Sequence, residues 1–250
     1  MTEQATVHLK IRRQDEAAGP SYWQEFRVPY TPGMNVITCL DEIRKSPVTT
    51  QGKRVPPVAW ECSCLEEVCG ACSMLINGVP RQACSALVER LDTPLVIEPF
   101  TKFPVVRDLV VDRQSLFDNF RKVRVWVPVD ISAGVGPGPR MSQEQQQAAY
   151  PLSRCITCGC CLESCPQVNA RSPFMGAAVL NQATLMDSHP TGRMNSAQRL
   201  AVVRGKGGLT DCGNAQNCAR VCPKEIPLVD SIARLNREAI IDGIKRWLAK

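Results

Sequence analysis

The residues of this chain best able to do chemistry are its cysteines, fourteen among 250 residues, and their spacing is regular. Cys155, Cys158, Cys161 and Cys165 are separated by two, two and three residues, and Pro166 follows the last of them. Thiolates at these gaps wrap an iron–sulfur cluster, and the closing Cys-Pro turns the chain away toward a neighbouring site. Later in the chain Cys212, Cys218 and Cys222 answer this run, again with a proline, Pro223, after the last. A separate set, Cys64, Cys69, Cys72 and the more distant Cys84, has the four-residue gap, two-residue gap and remote fourth cysteine of a [2Fe–2S] site. Iron held this way moves single electrons, so the spacing predicts electron transfer.

Where two such runs occur together, the cysteine before each proline ligates the cluster of the other run. On that rule Cys155, Cys158, Cys161 and Cys222 hold a [4Fe–4S] cluster, while Cys165 joins Cys212 and Cys218 at a further site. That further site is one thiolate short, because Ala215 stands where a complete run places its middle cysteine. Three thiolates predict a [3Fe–4S] cluster, since alanine offers nothing to retain a fourth iron. Cys160 breaks the two-residue spacing and is read as a non-ligand. Cys62 is read as a bystander near the first site, and Cys39 as core. His8 and His189 have no neighbouring ligand types and are read as structural. Zinc also accepts four thiolates in paired CxxC motifs, so a zinc-stabilised interaction module is the reading to weigh against clusters. Brown colour in the pure protein separates the two.

These loops need elements to position them. Val7, Leu9 and Ile11 alternate with His8 and Lys10, and Trp23, Phe26 and Val28 follow in Tyr22 to Tyr30, which predicts an opening hairpin with Asp15 to Ser21 as its turn. Asn35 is placed to cap a short helix whose Val36, Leu40 and Ile43 share a face, with Pro47 as the stop signal. Asn77-Gly78 is a type I′ hairpin signal that brings Cys84 back toward the first loop. A late strand at Leu95 to Glu98 completes a β-grasp ferredoxin domain. Beyond Pro99 to Pro104 the spacing turns helical, as in Leu116, Phe120 and Val123. The expected fold class is therefore α+β, with a β-grasp [2Fe–2S] domain over 1–104 and an all-α bacterial-ferredoxin-like domain over 105–250. In the second domain Gly134 to Pro139 reads as an irregular loop, Ser142 as a helix start, and the Gln-rich run after it as a solvated face. From Pro227 a terminal helix places Ile232, Leu235 and Ala239 on one side, with Trp247 either capping the core or anchoring on a partner.

At 250 residues and 44% apolar content there is material for two packed domains. The polar start, Met1-Thr2-Glu3-Gln4, lacks the apolar stretch of a signal peptide, so thiolate ligands in a reducing compartment are expected rather than disulfides. No run reaches the roughly 18 apolar residues of a membrane-spanning helix. The formal charge of +6 counts every cysteine as neutral. Three thiolate-bound clusters at about −2 each bring the holoprotein near neutrality, so the basic balance is not a nucleic-acid signal.

The cluster order [2Fe–2S], [4Fe–4S], [3Fe–4S], with the stretch Pro104 to Asp112 at the junction, resembles the iron–sulfur subunit of the succinate dehydrogenase and fumarate reductase family over essentially the whole chain. The resemblance implies an FAD-containing flavoprotein partner that interconverts succinate and fumarate. It also implies relay of single electrons to a quinone at a membrane cytochrome b anchor, and a peripheral position on the cytoplasmic face of the cell membrane. Ubiquinone-linked members place tryptophans shortly after the first Cys-Pro and a histidine after the first cysteine of the last run. Here Gln167 to Ala170 and Gly213 stand at those places. The chain is thus similar to the menaquinone-linked branch with a single di-haem anchor, as in Gram-positive bacteria. Cys72 keeps a fourth thiolate where some members use Asp. Succinate oxidation is favoured over fumarate reduction; a soluble two-domain ferredoxin serving another flavoprotein is the remaining alternative, and it usually carries two complete four-cysteine runs.

Overall fold

The structure is a computed structural model that describes residues 5–127 and 139–249. Its elements run β1 (Thr6–Arg13), β2 (Tyr22–Pro29), α1 (Val36–Lys45), β3 (Ser73–Ile76), β4 (Val79–Gln82), β5 (Leu95–Glu98), β6 (Val105–Arg107) and β7 (Val110–Val111). They continue with α2 (Gln114–Lys122), α3 (Gln143–Ser153), α4 (Cys160–Glu163), β8 (Val168–Asn169), β9 (Ser172–Pro173), α5 (Ala177–Ser188), α6 (Ser196–Arg204), α7 (Asn217–Arg220) and α8 (Leu228–Leu248). Two compact units result, one of Met1–Arg113 with Ile156–Glu163, the other of Gln114–Cys155 with Ser164–Lys250. The Gly134 to Pro139 loop expected from sequence lies, apart from Pro139, outside the described residues.

The first unit is built on a five-stranded sheet in the order β2-β1-β5-β3-β4. β1 and β2 pair antiparallel with Leu9 opposite Phe26, and β5 lies parallel to β1 with Ile11 opposite Ile97. Period-two alternation sends Val7, Leu9 and Ile11 into a core shared with Val36, Leu40 and Ile43 of α1. Asn35 caps α1 as the sequence predicts, its side-chain oxygen accepting from the Thr38 N–H at 2.9 Å. Asn77 and Gly78 both take positive φ, 50° and 75°, closing the β3–β4 turn in the form whose twist matches the strands.

Two features of this unit were not predicted. The last inward position of β1 is Arg13, fully buried, which donates to both carboxylate oxygens of Asp108 at 2.7 and 3.1 Å. Asp108 also accepts from the N–H groups of Gln14 and Ala59, so the β6–β7 ribbon is bolted to the sheet through a satisfied buried pair. The second feature is Glu163 at the end of α4. Its carboxylate accepts from the backbone N–H groups of Thr101 and Lys102 and from the Thr101 hydroxyl, at 2.7 to 3.0 Å.

The second unit is helical apart from the two-residue ribbon of β8 and β9. α5 is its centre, buried along almost its whole length and packed by α2, α3, α6 and α8. Its polar groups are matched: Asn181 donates to the Leu152 carbonyl and accepts from the Ser231 hydroxyl, and Asp187 pairs with buried Arg199 at 2.7 Å. Burial pushes the Asp187 carboxyl up, and Arg199 draws it back. Leu116, Phe120 and Val123 are buried on the face predicted for them. Ser142 starts α3 with a reciprocal capping box to Gln145, and Gln143 to Gln147 are solvent-exposed, as read from sequence. α8 buries Ile232 and Leu235, whereas Trp247 is 75% exposed and caps no core within this chain.

Candidate iron–sulfur centres

The first loop, Cys64 to Cys72, leads into β3 and curls through left-handed conformations at Leu65, Glu67 and Gly70. Such alternation turns successive N–H groups inward and makes a concavity that accepts negative charge. The Glu66 and Val68 N–H groups both donate to the Cys64 sulfur at 3.3 Å, and the Ala71 N–H donates to the Cys69 sulfur at 3.4 Å. Those two amides draw the Cys64 thiol down to about 7. Cys84, delivered by the β3–β4 hairpin, is pushed up to about 12 by burial and is hydrogen-bonded with Cys72. The four predicted residues are therefore gathered: Cys64 beside Cys69, Cys84 beside Cys72 and within electrostatic reach of Cys64.

Gly70 shows why this loop tolerates so little change. A Cβ there would fall 2.6 Å from the Ile156 carbonyl oxygen and 2.9 Å from the Cys158 Cα, at a φ of +75°. Part of the second loop, Ile156–Glu163, thus packs directly on the first. Within it Thr157 and Gly159 have positive φ, and Cys158 is drawn down to about 7, chiefly by a hydrogen bond from the Cys160 thiol. Arg113, which donates to the Ala71 carbonyl at 3.0 Å, adds positive potential at Cys158. Cys158 and Cys161 are buried in this unit; Cys155 and Cys222 are half-buried members of the other.

In the second unit Cys165, Cys212 and Cys218 line one small cavity, with Ala215 also in its wall. Burial pushes the Cys218 thiol up, and Cys165 and Cys212 contribute further by electrostatic repulsion. Asn214 and Gln216 take positive φ, repeating the curl of the other loops. The donors fit a cluster at the first loop, with gathered thiols, inward N–H groups at sulfur and backbone too close for a side chain at Gly70, and in the second unit Cys165, Cys212 and Cys218 share one cavity. When bound, such clusters supply one-electron redox chemistry. Among the described residues no three His, Cys, Asp or Glu side chains converge on one ion-sized point. None of the fourteen cysteines forms a disulfide.

A family model described as a 2Fe-2S iron-sulfur cluster binding domain matches residues 8–118, and one described as a 4Fe-4S dicluster domain matches residues 151–226. The chain is 51% identical over 247 residues to the succinate dehydrogenase iron-sulfur subunit of Bacillus subtilis, covering 99% of this chain and 98% of that one. The chain belongs to the succinate dehydrogenase and fumarate reductase iron–sulfur subunit family. Within the family it is also 28% identical over 243 residues to the fumarate reductase iron-sulfur subunit of Wolinella succinogenes, covering 96% and 99% of the two. In fold it matches a chain of the Mycobacterium smegmatis Sdh1 complex in the apo form, at a TM-score of 0.79 and 23% identity, over 95% and 96% of the two chains.

For an iron–sulfur subunit of this family, residues outside the cysteine pattern become informative. Gln167 fills the space in front of Gly213, its Nε2 lying 2.6 Å from where a Cβ at 213 would sit. The two positions at which the chain departs from the ubiquinone-linked pattern are therefore neighbours in space, the mobile end of the Gln167 side chain lying over exposed Gly213. Cys39 is fully buried in the sheet core and is pushed up to about 12 by burial, a packing residue as read from sequence. Cys62 is exposed. Glu163, Arg113 and Gln82, which hold the loops in place, carry no local signal because these partners lie 9 to 78 residues away.

Proposed function

We propose that the chain is the electron relay of a succinate:menaquinone oxidoreductase, taking electrons from an FAD-containing flavoprotein and passing them to quinone at a di-haem cytochrome b anchor. The observation that carries this reading is its full-length relationship to a succinate dehydrogenase subunit at 51% identity, well above the 28% to a fumarate reductase subunit. Cys64, Cys69, Cys72 and Cys84 would hold [2Fe–2S]; Cys155, Cys158, Cys161 and Cys222 would hold [4Fe–4S]; Cys165, Cys212 and Cys218 would hold [3Fe–4S]. The chain's own contribution is positional. It brings thiols together at the first loop and around one cavity of the second unit, points N–H groups at the Cys64 and Cys69 sulfurs, and buries Cys72, Cys84, Cys158, Cys161 and Cys218 away from water. Dicarboxylate chemistry belongs to the flavoprotein.

Menaquinone use is supported by the residues themselves, since Gln167 to Ala170 and Gly213 stand where ubiquinone-linked members place tryptophans and a histidine. No helix among the described residues is long and apolar enough to cross a membrane; in this reading the subunit sits on the cytoplasmic face, held by the anchor. The outer stripe of α8, Ile240, Ile241, Ile244, Trp247 and Leu248, is exposed and supports a partner surface there.

The test is the intact membrane complex. Electron paramagnetic resonance should count one centre of each of the three types, and succinate oxidation linked to a menaquinone analogue should outpace fumarate reduction. A colourless preparation holding about three zinc ions in place of iron would sink the relay reading, and faster fumarate reduction would reverse the direction.

A further inference from the structure

Gln82 ends β4 directly opposite Ser73 of β3, and its side chain is fully buried. An amide there must find partners, and it finds them in two different cysteine loops. Its Oε1 end lies 3.5 Å from the Cys72 sulfur. Its Nε2 end lies 2.8 Å from the Ser73 hydroxyl and 3.7 Å from the sulfur of fully buried Cys160. Cys160 in turn hydrogen-bonds to Cys158. A continuous line of side chains therefore runs Cys72, Gln82, Cys160, Cys158, all within the first compact unit. We propose that Gln82 and Cys160 form a packed bridge between a ligand of the first centre and a ligand of the second, Gln82 donating to Cys72 and Cys160 donating to Cys158, and that these two donors set the reduction potentials of the two centres.

The proposal rests on the ligand assignment above. A cluster-bound Cys72 carries no proton and only accepts. The two ends of an amide exchange by a half-turn of its last torsion, so a thiolate at 72 selects the orientation that presents Nε2 to sulfur. The Cys160 thiol has one proton, which goes to Cys158, so its contact with the turned amide is packing; the Ser73 hydroxyl donates to the amide oxygen or to Gly70. A donor at a cluster sulfur favours the reduced, more negative state, and in a buried site that preference is little screened. Gln82 and Cys160 are thus positioning residues: neither binds iron, and both act through the sulfurs they touch.

The experiment is a potentiometric titration of the assembled complex followed by electron paramagnetic resonance, in which each centre gains one electron from dithionite through soluble mediators. Gln82→Met keeps the volume and removes the donor. It should lower the [2Fe–2S] couple, making reduction about tenfold less favourable, or ~59 mV for one electron. Cys160→Ala should lower the [4Fe–4S] couple in the same direction, and the [3Fe–4S] couple should stay put in both. A merely structural role would change cluster content rather than move individual couples. If Gln82→Met does not assemble, Cys160→Ala carries the test through the second couple. Unmoved couples at full cluster content overturn the bridge. Cys72→Ser tells the two failures apart: an unaltered [2Fe–2S] spectrum in that variant overturns the ligand assignment, whereas an altered one with unmoved couples in Gln82→Met and Cys160→Ala overturns only the bridge.

Discussion

On the proposed ligand assignment Ala215 decides the character of the terminal centre, because it holds the middle position of the last run and lines the same cavity as Cys165, Cys212 and Cys218. Its side chain is exposed on the loop, so replacement meets no packed core. Ala215→Cys supplies a fourth thiolate and should convert the three-iron centre to a four-iron one. The expected reading is loss of the oxidised three-iron resonance and gain of a reduced four-iron resonance, with succinate oxidation slowed because the converted centre has a different potential. Retention of the three-iron signal would show that the thiol at 215 does not reach the cavity. Gln167 and Gly213 meet in the same way only in the folded chain, the Gln167 amide lying against Gly213.

At the scale of elements, α4 is held by Glu163 rather than by its own length, since four residues make a helix with no independent stability. The carboxylate satisfies two backbone N–H groups and a hydroxyl of Thr101 and Lys102. Glu163→Ala removes hydrogen bonds to donors on half-exposed chain, which water can then reach, and should destabilise the first unit by about 1 kcal/mol. Loss of the [2Fe–2S] spectrum in urea reads this as an earlier midpoint. α8 makes the opposite point. Its first turns bury Leu228, Ile232 and Leu235, while the distal stripe around Ile244 and Trp247 stays exposed with Lys245 and Arg246 beside it. The double change Ile244→Glu and Trp247→Glu should leave cluster spectra intact and shift the subunit from the membrane pellet to the soluble fraction. Unchanged pelleting would remove the stripe from the anchor surface.

For the whole molecule, the formal charge of +6 describes a chain without its iron. Clusters at about −2 each cancel most of it, so solution behaviour follows cluster content. The same dependence ties the two cysteine runs together. Cys222 neighbours Cys212 and Cys218 in sequence, yet the exchange rule assigns it to the [4Fe–4S] centre. Cys222→Ser should therefore impair that centre first, seen as a lost or altered four-iron resonance with the three-iron signal still present. Selective loss of the three-iron signal would refute the assignment.

What the sequence determined by itself is the chemistry and the local order. Ligand spacing is a property of a few consecutive residues, and so are the Asn35 and Ser142 caps, the Asn77-Gly78 turn and the inward stripe of β1, which is why all of these were legible without coordinates. Tertiary structure alone decided how the second loop is shared out. Ile156–Glu163 packs with the first unit because Gly70 admits the Ile156 carbonyl, Glu163 finds the backbone of Thr101 and Lys102, and Gln82 meets Cys160. It likewise decided that β6 and β7 join the sheet, through Arg13 and Asp108, 95 residues apart. Such contacts leave no periodic trace, because each is one polar group satisfied by a partner that only the folded chain brings near. A buried Gln or Glu in a sequence looks like any exposed one until the donors and acceptors around it are in place.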